Sequence, residues 1–139
     1  MSKPFFEDEY AVIELDETVP CVKVTLRGIP KSSEHYQFVQ TKRLELMRSY
    51  ISQLPQLQML TDSRTAGMVL EEDVTYFKNH VMPEMERAGI RYLAIVQPAN
   101  KFTQLTIRDM TQNAQIMKVK YFESIREARH WLKKMSTRP

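Results

Sequence analysis

Cysteine is almost missing from this chain of 139 residues. Cys21 stands alone, which excludes an internal disulfide and any multi-cysteine metal cluster. Glycine is nearly as scarce. With only Gly28, Gly67 and Gly89, neither a phosphate-cradling P-loop nor a dinucleotide fingerprint can be written, and there is no Gly-x-Ser-x-Gly nucleophile elbow. The three histidines, His35, His80 and His130, never fall three or four apart, so a helical metal-binding pair is excluded. No stretch approaches the roughly 18 apolar residues of a membrane-spanning helix. The opening MSKPFFEDEY is acidic where a secretory leader would be basic. The expectation is a cytoplasmic protein forming one domain over residues 1–139, without metal or cofactor.

Excess charge is lacking too. A net charge of +3 is too small to imply nucleic acid, and neither an RNP-type aromatic motif nor a helix-turn-helix signal is present. Its distribution is uneven. In residues 1–20, Lys3 stands alone against Glu7, Asp8, Glu9, Glu14, Asp16 and Glu17, whereas residues 101–139 carry nine Lys/Arg against Asp109, Glu123 and Glu127. Two solvated faces account for this, and a basic patch for an acidic partner is the alternative.

The chain does contain clear periodicity. In YAVIELD and CVKVTLRG apolar residues alternate with polar ones, predicting two strands with one wet face. The short link from Asp16 to Pro20 predicts that they pair antiparallel at a sheet edge. After Gly28-Ile29-Pro30, Ser32 or Ser33 can cap a long helix. On it Tyr36, Val39, Leu46, Met47, Tyr50 and Leu54 share one stripe, interrupted by Arg43. LQML (57–60) is the next strand, and the polar run from Thr61 to Gly67 is read as the loop that follows it. A second helix begins near Glu71-Glu72-Asp73, whose carboxylates suit the positive end of a helix dipole. Its apolar face is Val74, Phe77, Val81, Met85 and Ala88, and Gly89 is its stop. Pro83 lies inside it and should kink or split it at a cost of about 3 kcal/mol.

YLAIV (92–96) is apolar throughout, as for a strand covered on both faces. A weaker helix follows in FTQLTIRDMTQ. IMKVKYF (116–122) alternates as an outer strand should, and Ser124-Ile125-Arg126-Glu127 has the form of a capping box opening the last helix. The order ββαβαβαβα predicts an α/β fold: a mostly parallel sheet of about five strands with an N-terminal antiparallel hairpin and right-handed crossovers.

In such sheets the carboxyl ends of the parallel strands gather the loops that hold ligands. That rim supplies the candidate site residues Asp62, Ser63, Arg64, Thr65, Asn100 and Lys101. Turn and cap hydrogen bonds to the backbone are an equally direct use for these side chains. Cys21 is read as a buried small hydrophobe, and each histidine as a surface or packing residue. Met47, Met59, Met82, Met85, Met110 and Met117 either fill the core or line an adaptable apolar cavity for a lipid or acyl chain.

The hairpin AVIELDETVPCVKVTLRG, the segment LQMLTDSRTAG and the ending RYLAIVQPANKF…KVKYFESIREARHWLKK together resemble the STAS domain superfamily over about residues 10–135. The likeness is to its small, free-standing bacterial SpoIIAA-like and SEC14-like members. The resemblance implies a βα superhelix and non-enzymatic work through an unidentified protein partner, with a lipid or a nucleotide ligand in some branches; the alternating edge strands separately make a homodimer an expectation. In the anti-sigma-factor antagonists of that family an Asp-Ser-Ser-Gly signature follows a strand, and its second serine accepts phosphate. Here Asp62 and Ser63 match the first two positions, but Arg64 stands at the acceptor and Thr65 at the glycine. An arginine cannot accept the −1.5 to −2 charge by which such switches act. The reading is therefore a non-enzymatic interaction module with its phospho-acceptor replaced, the alternative being a small-molecule or lipid carrier.

Overall fold

The computed structural model describes residues 3–137; the ends of the expected domain, residues 1, 2, 138 and 139, lie outside it. Six strands form one sheet in the order of the sequence: β1 (Phe6–Glu7), β2 (Ala11–Asp16), β3 (Cys21–Gly28), β4 (Gln58–Ala66), β5 (Tyr92–Val96) and β6 (Lys118–Phe122). β1, β2 and β3 are antiparallel, and β3 to β6 are parallel. The sixth strand is β1, which the pattern analysis missed. Two residues are too short for any alternation to show, and Phe6 and Glu7 are recognisable only by their pairing with Ile13 and Val12.

Alternation along the strands sorts the core. Ala11, Ile13, Val22, Val24, Met59, Leu93 and Ile95 face the larger cluster, under α1 (Ser33–Tyr50), the helical run Glu71–Ala88 and α4 (Lys101–Thr111). Cys21, Leu60, Ala94 and Val96 face the other way, against Ala128 and Leu132 of α5 (Ile125–Ser136). Cys21 is fully buried there, and burial pushes its thiol up to about 12, so it packs as a small hydrophobe.

The caps follow the sequence signals closely. Ser32 accepts from the His35 N–H at 3.1 Å, and Asn100 accepts from the Thr103 N–H at 3.1 Å. At α5 half of the expected capping box forms: the Glu127 N–H donates to Ser124 Oγ at 3.2 Å, while the Glu127 carboxylate takes the Ser124 hydroxyl rather than its backbone N–H.

Two expectations are corrected. The run Thr61 to Ala66 is not a loop, because β4 continues to Ala66 by pairing along β3, with Asp62 opposite Thr25 and Ala66 opposite Gly28. The polar composition that reads as a turn is a strand whose last residues need only one neighbour. Pro83 neither splits nor ends its helix. α2 (Glu71–Tyr76) runs through a π-helical turn, Phe77–Val81, into α3 (Met82–Ala88), where Pro83 sits in the first turn. The Met82 N–H reaches five residues back to the Phe77 carbonyl. The widened turn relieves the clash a proline ring makes with the carbonyl four residues before it.

One ion pair ties the hairpin to the last helix. Arg129 Nε donates to Asp16 at 2.8 Å, and its Nη2 donates to Thr18 at 2.7 Å. Burial pushes the Asp16 carboxyl up, yet the hydrogen bonds from Arg129 and Thr18 hold it below its ordinary value. A depressed carboxyl stabilises the fold fully above the unfolded value, near 3.9, and the contribution is lost as pH falls through the folded value. Arg129→Met should therefore lower stability by about 1 kcal/mol at pH 7, and the deficit should shrink at pH 3. Urea unfolding at both pH values checks this; an equal deficit at the two contradicts it.

Candidate functional site

The carboxyl ends of β3, β4 and β5 converge under α1, α2 and α4. There they leave a cavity of about 40 Å³, room for a group the size of a carboxylate or a few waters. Its walls are mostly apolar: Leu26, Phe77, Leu93, Ile95 and Ile107. It meets the surface beside Gly28, Pro30, Gly67 and Met68, and Met68 is 69% exposed. Thr61 and Ser63 reach it because alternate residues of β4 point to the face on which Met59 packs.

Three polar side chains from the helices enter the same space. Arg43 is fully buried, with 1% of its surface exposed, and Gln40 and Asp73 are equally enclosed. All three line the cavity. Arg43 Nε and Nη1, Gln40 Oε1 and both Asp73 carboxylate oxygens have no hydrogen-bond partner among the described residues. The Arg43 guanidinium carbon lies 5.6 Å from the centroid of the Phe77 ring, a cation–π contact supplied by the first residue of the π-helical turn. Burial pushes the Arg43 guanidinium down to about 10. It pushes the Asp73 carboxyl up, a shift opposed by the nearby Ser33 hydroxyl and reinforced by Glu72. Ser33 Oγ stands short of a formed hydrogen bond. Among the described residues Arg43 has no ion-pair partner within 4 Å; the arginine pairs found there are made by Arg27, Arg48, Arg64, Arg87 and Arg129.

The candidate residues of the rim do not gather into one site. Asp62 and Arg64 point away from the cavity, on the sheet face that carries Leu60 and Lys23. There Arg64 Nε and Nη2 grip the two Asp62 oxygens at 3.0 and 2.9 Å. Burial raises the Asp62 carboxyl, but the hydrogen bonds from Arg64 hold it below its usual range. Ser63, one residue on, faces the cavity and is 2% exposed. Thr65 is exposed and its hydroxyl donates to the Leu26 carbonyl at 2.8 Å. Asn100 is the cap of α4, and Lys101 is its exposed first residue. Of the six methionines considered for a cavity lining only Met110 takes that place; Met47, Met59, Met82, Met85 and Met117 fill the core.

His35 hydrogen-bonds Asp8 at 2.7 Å, and His80 stacks on Tyr76 with centroids 5.0 Å apart. Among the described residues no group of three or more His, Cys, Asp or Glu is placed to hold a metal ion. Sequence reasoning passed over Arg43, Gln40 and Asp73 as site residues. One signal for them was there: Arg43 falls at the i+4 position between Val39 and Met47 on an otherwise apolar stripe.

No family model matches the chain, and no curated protein does. Among solved structures it is similar to an uncharacterized protein of the DUF3478 family, with a SpoIIAA-like fold, from Shewanella loihica PV-4. The likeness covers 95% of this chain and 98% of that one, with a TM-score of 0.58 and 16% sequence identity. At that identity it establishes the fold alone. The chain has a SpoIIAA-like α/β fold, as its pattern of strands and helices implied.

An ionised side chain shut away from water without a partner costs stability. Arg43→Met keeps the length and removes the charge, so it should stabilise the protein by about 1–3 kcal/mol, read as a higher urea midpoint at pH 7. A loss of more than about 1 kcal/mol would show that Arg43 holds the fold together.

Proposed function

We propose that the protein is a non-catalytic binding module that holds a small ligand at the carboxyl edge of its sheet. The observation that carries this reading is the cavity whose wall contains the buried, unpartnered Arg43, Gln40 and Asp73. Buried polar groups are almost always satisfied, and a set left open in one place is what a binding site awaiting polar atoms looks like. No histidine or cysteine lines the cavity beside Thr61 and Ser63, so the usual base or thiolate for acyl transfer does not stand at these hydroxyls. One domain in a cytoplasmic setting belongs to the same proposal. For the described residues, no helix is long and apolar enough to cross a membrane.

Regulation by contact with another protein is the second reading, favoured by a specific feature. Ile29, Met68 and Leu70 in the loops of this edge, and Phe102 in the first turn of α4, are large apolar exposed side chains, Phe102 by 83%. A patch of that kind marks an interaction surface. The open edges of β1 and β6 offer a second copy of the chain a place to add a strand. A phosphate switch of the anti-sigma antagonist kind fits this chain poorly. Arg64 occupies the acceptor position and is engaged with Asp62, and Ser63 is sealed inside.

Calorimetry with 1-octanol and with octanoate tests the first reading. At least one should bind saturably at one per chain, and Ser63→Leu, which fills the cavity, should weaken that binding tenfold or more. Absence of saturable binding by either, or indifference to Ser63→Leu, contradicts it. For the second reading, Phe102→Asp should abolish recovery of a protein partner in a pull-down from the native host; recovery unchanged by the substitution counts against that surface.

A further inference from the structure

Resting on the binding reading just given, the geometry points to a ligand of one chemical class: we propose an amphiphilic monocarboxylate, its head group seated on Arg43 and its apolar body leaving over Met68. Each part of the description comes from a different feature of the cavity.

The head must be an anion with acceptor oxygens. Among the described residues Arg43 Nε and Nη1 are donors with no partner and no carboxylate lies within ion-pair distance; the guanidinium stays charged at neutral pH. A guanidinium enclosed by protein binds carboxylate or phosphate better than a neutral group does, because charge-assisted hydrogen bonds are about twice as strong as neutral ones. Thr61 and Ser63 bring hydroxyls to the same space.

The head must also be small and singly charged. About 40 Å³ admits a group the size of a carboxylate. Asp73 shares the wall, so every negative charge brought in meets repulsion from its carboxyl oxygens in a medium of low dielectric, and Arg43 offsets only one. The apolar walls, Leu26, Ile95 and Ile107, penalise each further charge brought in.

The remainder of the ligand must be apolar. The cavity leads to the surface past Gly67 and Met68, and the neighbouring Ile29 is 63% exposed. A Cβ on Gly67 would lie 2.9 Å from Cγ2 of Ile29, the residue just after β3. A body of this kind covers Met68 and Ile29 as it leaves, which gives the exposed side chains a use.

The test compares four probes by calorimetry at pH 7: octanoate, 1-octanol, octylamine and acetate. Octanoate should bind the wild type at least tenfold tighter than 1-octanol, the step expected from one charge-assisted contact. Acetate, a free carboxylate without a tail, should bind at least tenfold more weakly than octanoate. In Arg43→Met the advantage of octanoate over 1-octanol should vanish. Should that variant fail to fold, Ser63→Leu must weaken octanoate in its place. Octanoate and 1-octanol binding alike to the wild type, or octylamine binding tightest, overturns the carboxylate assignment and leaves the binding reading standing. Acetate binding as well as octanoate overturns the apolar body. No binding by any probe removes both this proposal and the reading beneath it.

Discussion

A positive charge sealed inside the fold without a countercharge is the constraint around which this structure is organised. Arg43 lies on the buried side of α1, and nothing among the described residues pairs with its Nε or Nη1. Such a group is sustained only when the rest of the molecule holds it in place. Here the support is an 18-residue helix anchored by Tyr36, Val39, Leu44, Leu46 and Met47 in the larger core. Each of those side chains contributes about 1.5–3 kcal/mol when fully buried, so the helix as a whole tolerates one unfavourable position. The Phe77 ring adds a cation–π contact from the facing helix. It comes from the widened turn that lets the same helix contain Pro83. A local irregularity and the buried charge are thus two sides of one piece of packing.

β4 shows how a single strand separates structure from binding. Its alternation sends Leu60, Asp62 and Arg64 to one face and Met59, Thr61 and Ser63 to the other. On the first face the carboxylate and guanidinium satisfy each other and are spent as local structure. On the second the hydroxyls open into the cavity beside a guanidinium that is not satisfied. Two arginines close to the same strand therefore differ in kind. Arg64 is exposed and paired, whereas Arg43 is enclosed and its Nε and Nη1 have no hydrogen-bond partner among the described residues.

Most of the fold was legible in the sequence because its signals are local. Alternation in AVIELD and CVKVTLRG set the hairpin, the apolar run YLAIV the central strand, and Ser32 and Ser124 two of the helix starts. What escaped depends on neighbours distant in the chain. β1 is too short to carry a pattern. The polar half of β4 is a strand only because β3 lies alongside, and a turn-like composition hid it. The cavity lies at the sheet's carboxyl edge, and of the rim residues named from the sequence Ser63 faces it. Arg43 registered as an interruption in a stripe and Asp73 as a favourable charge at a helix start; that they share one cavity is a consequence of tertiary packing that spacing does not encode.

The most direct measurement follows the arginine Nε–Hε signals by NMR while octanoate is added to the wild-type protein. The account predicts that the Arg43 signal moves saturably at one equivalent per chain while that of Arg64, already engaged by Asp62, stays in place. A stationary Arg43 signal, with shifts confined to the exposed arginines, would contradict it.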